Sequence, residues 1–533
     1  MSSTIQNFRD YASRILSLEK SIVEIDKEAL LSVALVFPNS YEVGMANLGF
    51  QTLYRLFNSY PGVRCERSFF YESFPEITRT LESAQKLIHF DIIAFSISFE
   101  VDYLNVLKIL KNTGLNPYAK DRHPRDPLIM TGGTATFINP EPIAPFIDLF
   151  FIGEIEPAFD TLIEYLKLMK NGCDKNDVIN QLSEEVEIYA PQFFDPSKKI
   201  IKVTANVKEA APQFSSVITS KSHFQNMFLI EVGRGCGRYC RFCAASHIYH
   251  PVRFFSHEKI LTSINENIHS TTKVGLVGAA LCDYPKLIDL GKILVAKKYQ
   301  LGLSSFRFET ISRSFLNVVQ HAGIKTITLA PEAGTIRLRK IINKPISNEQ
   351  IMAAIDLIAK SEILNLKLYF LIGLPFEEEK DILGLIELVK QIKNIFFSFA
   401  RKRREIVVSV NAFIPKPFTP FQWCAMENER NLKKKRRLIE NELKKISGVK
   451  FTKKSTKAEI HQTILSLGDR HLAADLFSMP SSNHSTKLIT GKKNRIFEEK
   501  SFHDTLPWDF IAHAFKKEKL WQNWQKTKEL ALY

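Results

Sequence analysis

From residue 226 onward the sequence repeats one grammar, a short apolar run, a polar or glycine-marked break and an amphipathic stretch. "NMFLIEVGRGC", "KVGLVGAAL", "GLSSFRFET", "KTITLAPEAG", "LKLYFLIGLP" and "REIVVSVNAFIP" read as strands. "EKILTSINENI", "PKLIDLGKILVAK", "RSFLNVVQHAG", "NEQIMAAIDLIAK" and "ILGLIELVKQI" read as the helices between them. Six to seven βα units of about 30 residues each restrict this segment to a parallel (β/α) barrel, an incomplete one of the (β/α)6 type. No sequence repeat underlies the pattern. Beyond residue 425 it breaks into a basic helix and an irregular tail.

Residues 1–190 alternate in the same way and predict a separate open parallel sheet, Rossmann-like in type. The fold class is therefore α/β: this first domain, a barrel over 191–425, and a small, mostly helical C-terminal region over 426–533. "LSVALVFPNS", "FDIIAFSISFE", "PLIMTGGTATF" and "DLFFIGEIE" are the buried strands of the first sheet. Small residues follow their apolar cores: Ser96 and Ser98, Gly132 and Gly133, Gly153 with Glu154. Carboxyl ends of an open parallel sheet form its ligand crevice, and paired glycines let a backbone approach a flat ring or a phosphate. These six residues are the candidate ligand contacts of the domain, against the plainer reading that they are tight turns.

No stretch of the 533 residues approaches the length of a membrane-spanning helix, and "MSSTIQNFRDYASRILSLEK" lacks the sections of a secretory signal. The expectation is a cytoplasmic chain whose seven cysteines stay reduced. Much of the net charge of +15 lies in "ARKRREIVV" and "NLKKKRRLIENELKKISGVKFTKKSTK". Such runs can bind phosphate backbones, but "RRLIENELKKI" pairs Glu with Lys at helical spacing, and a solvated helix face is the preferred reading. On that reading, changing Lys433, Lys434, Lys435, Arg436 and Arg437 to Gln alters stability little.

Chemistry concentrates in "GRGCGRYCRFCAASHIYHPVRFFS", where Cys236, Cys240 and Cys243 form a C-x3-C-x2-C array at the end of the first barrel strand. Structural zinc takes four protein ligands and nothing nearby supplies the last. A three-ligand zinc site would draw on His247 or His250, which the spacing does not demand. Three thiolates holding an iron–sulfur cluster with one open iron fit better, at the barrel end where such folds place their chemistry.

This array, with the aromatic Phe242 before its last cysteine, resembles the signature of the radical S-adenosylmethionine superfamily. The resemblance implies a 4Fe-4S cluster on Cys236, Cys240 and Cys243, and S-adenosylmethionine on its free iron. Gly278, Ala279 and Ala280 in "LVGAALCDYP" occupy the turn whose backbone receives the cofactor's amino group in the family, without the acidic residue found there. "TITLAPEAGTIRLRKIINK" is similar to the family's I-x-G-x-x-E strand, with Ile327, Leu329 in place of the glycine, and Glu332. Thr335 and Arg339 are then expected at the cofactor's carboxylate. "FLIGLP" resembles the strand that lines the adenine, and Cys282 is the one other cysteine close to these motifs.

"VFPNSYEVGMANLGFQTLY", "TGGTATFINPEPIAPFIDLFFIGEIE", "VNAFIPKPFTPFQW", "LSLGDRHLA" and "LPWDFI" extend the resemblance over nearly the whole chain, to a branch with an N-terminal cobalamin-binding-like domain. That likeness implies cobalamin, although the D-x-H-x-x-G motif that gives cobalt a histidine in some cobalamin proteins is absent. It implies an enzyme that cleaves S-adenosylmethionine reductively, generates a 5′-deoxyadenosyl radical and transfers a methyl group to an unactivated carbon, with electrons from a reduced flavodoxin- or ferredoxin-type donor. The alternatives are a methylthiotransferase-like RNA-modifying enzyme without cobalamin, and a non-enzymatic iron–sulfur protein. No residue is singled out as catalytic, and the substrate is not specified.

Overall fold

The computed structural model describes residues 2–303, 306–399, 402–479 and 494–532. Its first domain is a six-stranded sheet in the spatial order 63–69, 31–37, 92–96, 128–132, 149–151 and 188–189, parallel except for the last strand. All seven residues of Leu31–Phe37 are buried because helices cover both faces. Leu31, Val33, Leu35 and Phe37 enter one apolar core with Phe50 and Phe57, while Ala34 and Val36 enter the other with Tyr103 and Leu107. A strand in that position must be continuously apolar, as this one is. The chain leaves Leu31–Phe37 first toward 63–69 and later toward 92–96 on its opposite side, so the crevice of the sheet opens beyond the carboxyl ends of those central strands.

In the second domain, strands Phe228–Arg234, Lys273–Gly278 and Gln300–Leu303 are parallel neighbours, as are Thr326–Glu332, Asn365–Ile372 and Glu405–Ala412. The two sets meet where Phe306 N–H donates to Thr328 O at 3.2 Å. Ser304 and Ser305 of the anticipated "GLSSFRFET" strand, and Arg401 of the first basic run, lie outside the described residues. Within Asn365–Ile372, Leu366, Leu368, Phe370 and Ile372 are buried, whereas Lys367 and Tyr369 on the opposite face are exposed. The lumen along this strand is therefore open, unlike the filled interior of a closed barrel.

One strand departs from the sequence-based expectation. Val449–Lys453 follows the basic helix Glu429–Leu443 and adds in parallel to Glu405–Ala412. Its sequence, VKFTK, has no continuous apolar run because it sits at the sheet edge, where no residue of it is fully buried.

The C-terminal segment returns across both domains. Ile511–Ala512 pairs in parallel with Ile200–Ile201, and helix Lys517–Ala531 packs near helix Ile336–Ile341. Among the described residues no helix is long and apolar enough to cross a membrane. His513 lies at this junction, its Nε2 donating to Phe137 O at 2.8 Å and its ring 4.0 Å from that of Phe418. Burial pushes its imidazole down from 6.5 to about 3. The folded chain resists a proton that the unfolded chain accepts, so this stabilisation is complete above pH ~6.5 and is lost as pH falls from there toward 3. At pH 5 the loss amounts to about 2 kcal/mol. Urea unfolding at pH 7 and pH 5 is expected to show it, and His513→Gln, which keeps a donor for Phe137, is expected to flatten the difference.

Candidate active site

The cysteine loop begins where the Phe228–Arg234 strand ends. Gly235 has φ +80, and a Cβ there would lie 2.3 Å from Tyr249 O, so only glycine permits this entry into the loop. Arg241 braces the loop from below. It is 6% exposed, donates from Nη1 to Ile341 O at 2.6 Å and Lys340 O at 3.1 Å, and from Nε to Asn523 Oδ1 of the C-terminal helix at 2.7 Å. The last carbonyls of helix Ile336–Ile341 thus receive a cation.

Cys236 and Cys240 are buried and Cys243 is partly exposed. Burial pushes the Cys240 thiol up to about 12, with Lys344 pulling it down. Burial also raises Cys243, opposed by the Ser246 and Ala245 N–H groups. Arg307 Nη2 donates to Cys236 Sγ at 3.3 Å. Among the described residues no three Cys, His, Asp or Glu side chains are drawn into a metal-binding cluster. What fits an iron–sulfur group is the donor chemistry: three soft thiols on one short loop, with Arg307 and Lys344 beside them to offset thiolate charge. His247 Nδ1 is hydrogen-bonded to Cys243 O at 2.9 Å.

The residues expected around S-adenosylmethionine separate into two groups. Glu332 sits at an irregularity between Leu329 and Glu332, with φ +66, and is held by Lys344 at 3.1 Å. Its charge is felt by both Cys240 and Cys243. A glutamate held in the left-handed region beside the cysteine loop is strained, and strain of this kind concentrates at functional sites. Gly278 ends the Lys273–Gly278 strand, and it and Ala279 after it face the space between the domains; Ala280 is buried behind them. Phe242 packs against the core.

Thr335 and Arg339 belong to a different account. Thr335 caps helix Ile336–Ile341, accepting from Leu338 N at 3.2 Å, and its hydroxyl donates to Asp381. Arg339 is fully buried and does not reach the site. It donates to Ile346 O at 2.7 Å, Ala333 O at 3.1 Å and Gly334 O at 3.3 Å, and to Asn348. A guanidinium whose donors are taken up by three main-chain carbonyls and Asn348 has no fork left for a carboxylate, and the expectation for Arg339 is corrected on that ground.

The six crevice residues of the first domain do come together. Ser96, Ser98, Gly132, Gly133, Gly153 and Glu154 line a cleft of about 380 Å³ whose opposite wall is Gly233–Gly235, Tyr249 and Val277–Ala279 of the barrel. The carboxyl ends of the two sheets therefore face each other across it. Asn47 ties its rim, capping helix Leu48–Ser59 through Phe50 N at 2.9 Å and donating to Ser98 Oγ at 2.9 Å. The glycines have unequal reasons. At Gly133 (φ +107) a Cβ would lie 2.5 Å from Ile97 O, and at Gly153 (φ +132) 2.3 Å from Val203 O, so the chain itself requires both. At Gly132 a Cβ meets nothing closer than 3.7 Å.

Glu154 is the residue whose role the sequence conceals. Its carboxylate accepts from Arg253 at 2.6 and 2.9 Å, from Arg234 at 2.8 Å and from Ala205 N at 2.9 Å. Burial alone would raise it, but the hydrogen bonds and charges of Arg253 and Arg234 hold it at about 2. Arg234 also meets Glu231 and Glu156. This cluster clamps the first sheet to the strand that delivers Cys236, and Arg234, Arg253, Arg307 and Tyr249 are site residues that sequence reading missed. Arg234 was within reach of it, flanked by glycines two positions before the first cysteine.

Residues 230–389 match the family model described as the radical SAM superfamily, and residues 49–191 match the model for radical SAM proteins, N-terminal. The uncharacterized protein MJ0966 of Methanocaldococcus jannaschii is 31% identical over 472 residues, covering 88% of this chain and 95% of the relative. The chain belongs to the radical S-adenosylmethionine superfamily. Within it, residues 49–191 carry the N-terminal domain of radical SAM proteins, and the chain is a radical S-adenosylmethionine enzyme whose barrel implies a 4Fe-4S cluster and S-adenosylmethionine. The solved structure of the cobalamin-dependent enzyme OxsB with aqua-cobalamin bound shares its fold, with a TM-score of 0.52 at 15% identity over 94% of this chain and 80% of that one. The methyltransferase TsrM from Kitasatospora setae, with cobalamin and a [4Fe-4S] cluster bound, aligns with a TM-score of 0.48 at 10% identity over 71% of this chain and 74% of that one.

Proposed function

We propose that this chain is a cobalamin-dependent radical S-adenosylmethionine methyltransferase acting on an unactivated carbon. The observation that carries the reading is the cleft between two facing sets of strand carboxyl ends, with the cysteine loop opening from one wall. Bound there, the cluster with S-adenosylmethionine supplies one-electron cleavage of a sulfonium and hydrogen-atom abstraction, and the corrinoid supplies a methyl group.

The chain's own residues provide position and dryness. Cys236, Cys240 and Cys243 hold the cluster, and Glu332 with the Gly278–Ala280 backbone receives the amino-acid end of S-adenosylmethionine. The mostly apolar wall carrying Leu35, Ala94, Phe95 and Met130, edged by Ser96, Ser98 and Gly132, suits a large flat ligand. No histidine is among the described residues lining the cleft, so a corrinoid in it would lack a protein histidine on cobalt. The Glu154 clamp fixes the spacing of the two walls. The RNA-modifying alternative is not favoured, because three of the six cations of helix Glu429–Leu443, Lys433, Lys435 and Arg436, are each paired with a glutamate.

Anaerobic reconstitution with iron, sulfide and excess hydroxocobalamin, followed by gel filtration and an absorption spectrum, tests the reading. Stoichiometric corrinoid is expected to stay with the chain. Gly132→Leu, whose side chain would project into the cleft without striking the backbone, is expected to lose corrinoid while retaining iron and S-adenosylmethionine cleavage. A wild-type chain that retains no corrinoid would overturn the cobalamin reading.

A further inference from the structure

We infer that Arg307 is a positioning residue that sets the reduction potential of the iron–sulfur group through the sulfur of Cys236. The inference rests on the cluster assignment above and adds a role that holding the cluster does not by itself require.

The backbone aims this side chain. Arg307 is extended (φ −120, ψ 146), and Phe306 before it is buried edge-on against Phe315 of helix Arg313–His321, ring centroids 5.6 Å apart. Neighbours in extended chain point to opposite sides, so burying Phe306 among the helices turns Arg307 toward the cysteine loop. Thr310 holds the turn, its hydroxyl donating to Arg307 O at 2.9 Å and its N–H at 3.2 Å. At the far end of the guanidinium, Nη2 donates to Cys236 Sγ at 3.3 Å and lies 3.7 Å from Asp283 Oδ2. Asp283 is itself fixed, accepting from Arg238 Nη2 at 2.6 Å and Nε at 3.2 Å, while its N–H donates to Ala280 O at 2.8 Å. It thus anchors Arg307 against the loop from the turn that follows Gly278.

The three sulfurs are not equivalent. Cys243 is met by the main-chain N–H groups of Ser246 and Ala245, and Cys240 feels the charges of Lys344 and Arg307. Among the described residues only Cys236 receives a hydrogen bond from a cation. Lys344, the other cation close by, is already paired with Glu332 at 3.1 Å. The Arg307 side chain is 20% exposed, so solvent screens it little. Reduction adds negative charge to the iron and its sulfurs. A cation donating to one sulfur stabilises the reduced form more than the oxidised form and raises the potential. The step is one-electron: the reductant loses an electron, the iron–sulfur group gains it, and no bond forms or breaks at Arg307.

The test compares the full wild-type chain with Arg307→Met and Arg307→Lys, each reconstituted anaerobically with iron and sulfide. Each is titrated potentiometrically with dithionite, and the reduced cluster is counted by electron paramagnetic resonance. Arg307→Met, unbranched and uncharged, is expected to keep its iron and its circular dichroism spectrum. Its cluster is expected to be at least tenfold harder to reduce at a given potential, a fall of ~59 mV in midpoint for one electron. Arg307→Lys keeps the charge without the planar fork and is expected to lie between the two. Cleavage of S-adenosylmethionine by Arg307→Met is expected to slow under dithionite and to recover under titanium(III) citrate, a stronger reductant. A packing defect would not recover in that way. Clusters at the wild-type potential in both variants would overturn the inference. If such variants also failed to bind S-adenosylmethionine, Arg307 would belong to that cofactor's carboxylate instead. Loss of iron from both variants would overturn it too, making Arg307 a structural support of the loop. A wild-type chain that takes up no iron would sink the cluster assignment and this inference together, a result distinct from the others.

Discussion

A Cys240→Ala chain is expected to lose its iron–sulfur cluster and, with it, all measurable production of 5′-deoxyadenosine under dithionite. The loop offers only three thiols, so each replacement removes a third of the protein's hold on the group. Iron and sulfide assays on the reconstituted variant, with chromatography of the cleavage product, check the outcome. Cys282→Ala serves as the control. Cys282 follows the Gly278–Ala280 turn and lies outside the loop, so that variant is expected to keep both cluster and cleavage. Full cleavage by Cys240→Ala would remove the assignment of the loop.

The difference between what the sequence disclosed here and what it concealed follows the range of the interactions. The cysteine loop is a local object, and its spacing after an apolar strand was enough. The parallel sheets were legible for the same reason, since a strand buried on both faces must be continuously apolar, as Leu31–Phe37 is. Glu154 was marked as a ligand contact because it ends a strand, but its arginine partners lie 80 and 99 residues away, a distance no local pattern spans. The glycines show a subtler limit. The sequence says that some backbone must come close at Gly133 and Gly153, and the structure shows that it is the chain's own, at Ile97 and Val203. Arg339 lies in a six-residue helix, too short for periodicity to separate its buried face from its exposed one.

The basic segment was misjudged although its pattern was readable. Leu432, Arg436, Ile439 and Leu443 are the buried residues of helix Glu429–Leu443, and their spacing of four, three and four puts Arg436 on the apolar stripe. There Arg436, 3% exposed, donates to Thr456 at 2.6 Å and to both oxygens of Glu459 at 2.5 and 2.6 Å. Glu459, 1% exposed, also accepts from Ala412 N at 2.7 Å, so the pair joins two helices to the end of a barrel strand. Lys435 is half-buried between Glu377 at 2.7 Å and Glu427 at 3.0 Å. Changing all five basic residues to Gln is therefore expected to be damaging. Arg436→Gln alone strands a buried carboxylate, a change that costs about 3–5 kcal/mol. Lys433, Lys434 and Arg437 are exposed, and replacing those three is expected to cost at most about 1 kcal/mol per pair lost. Urea unfolding of the single and triple variants separates the two cases: Arg436→Gln should unfold at a markedly lower urea concentration, and the triple variant close to wild type. If the single variant unfolded with the triple, the Arg436–Glu459 pair would not be what anchors this helix to the barrel.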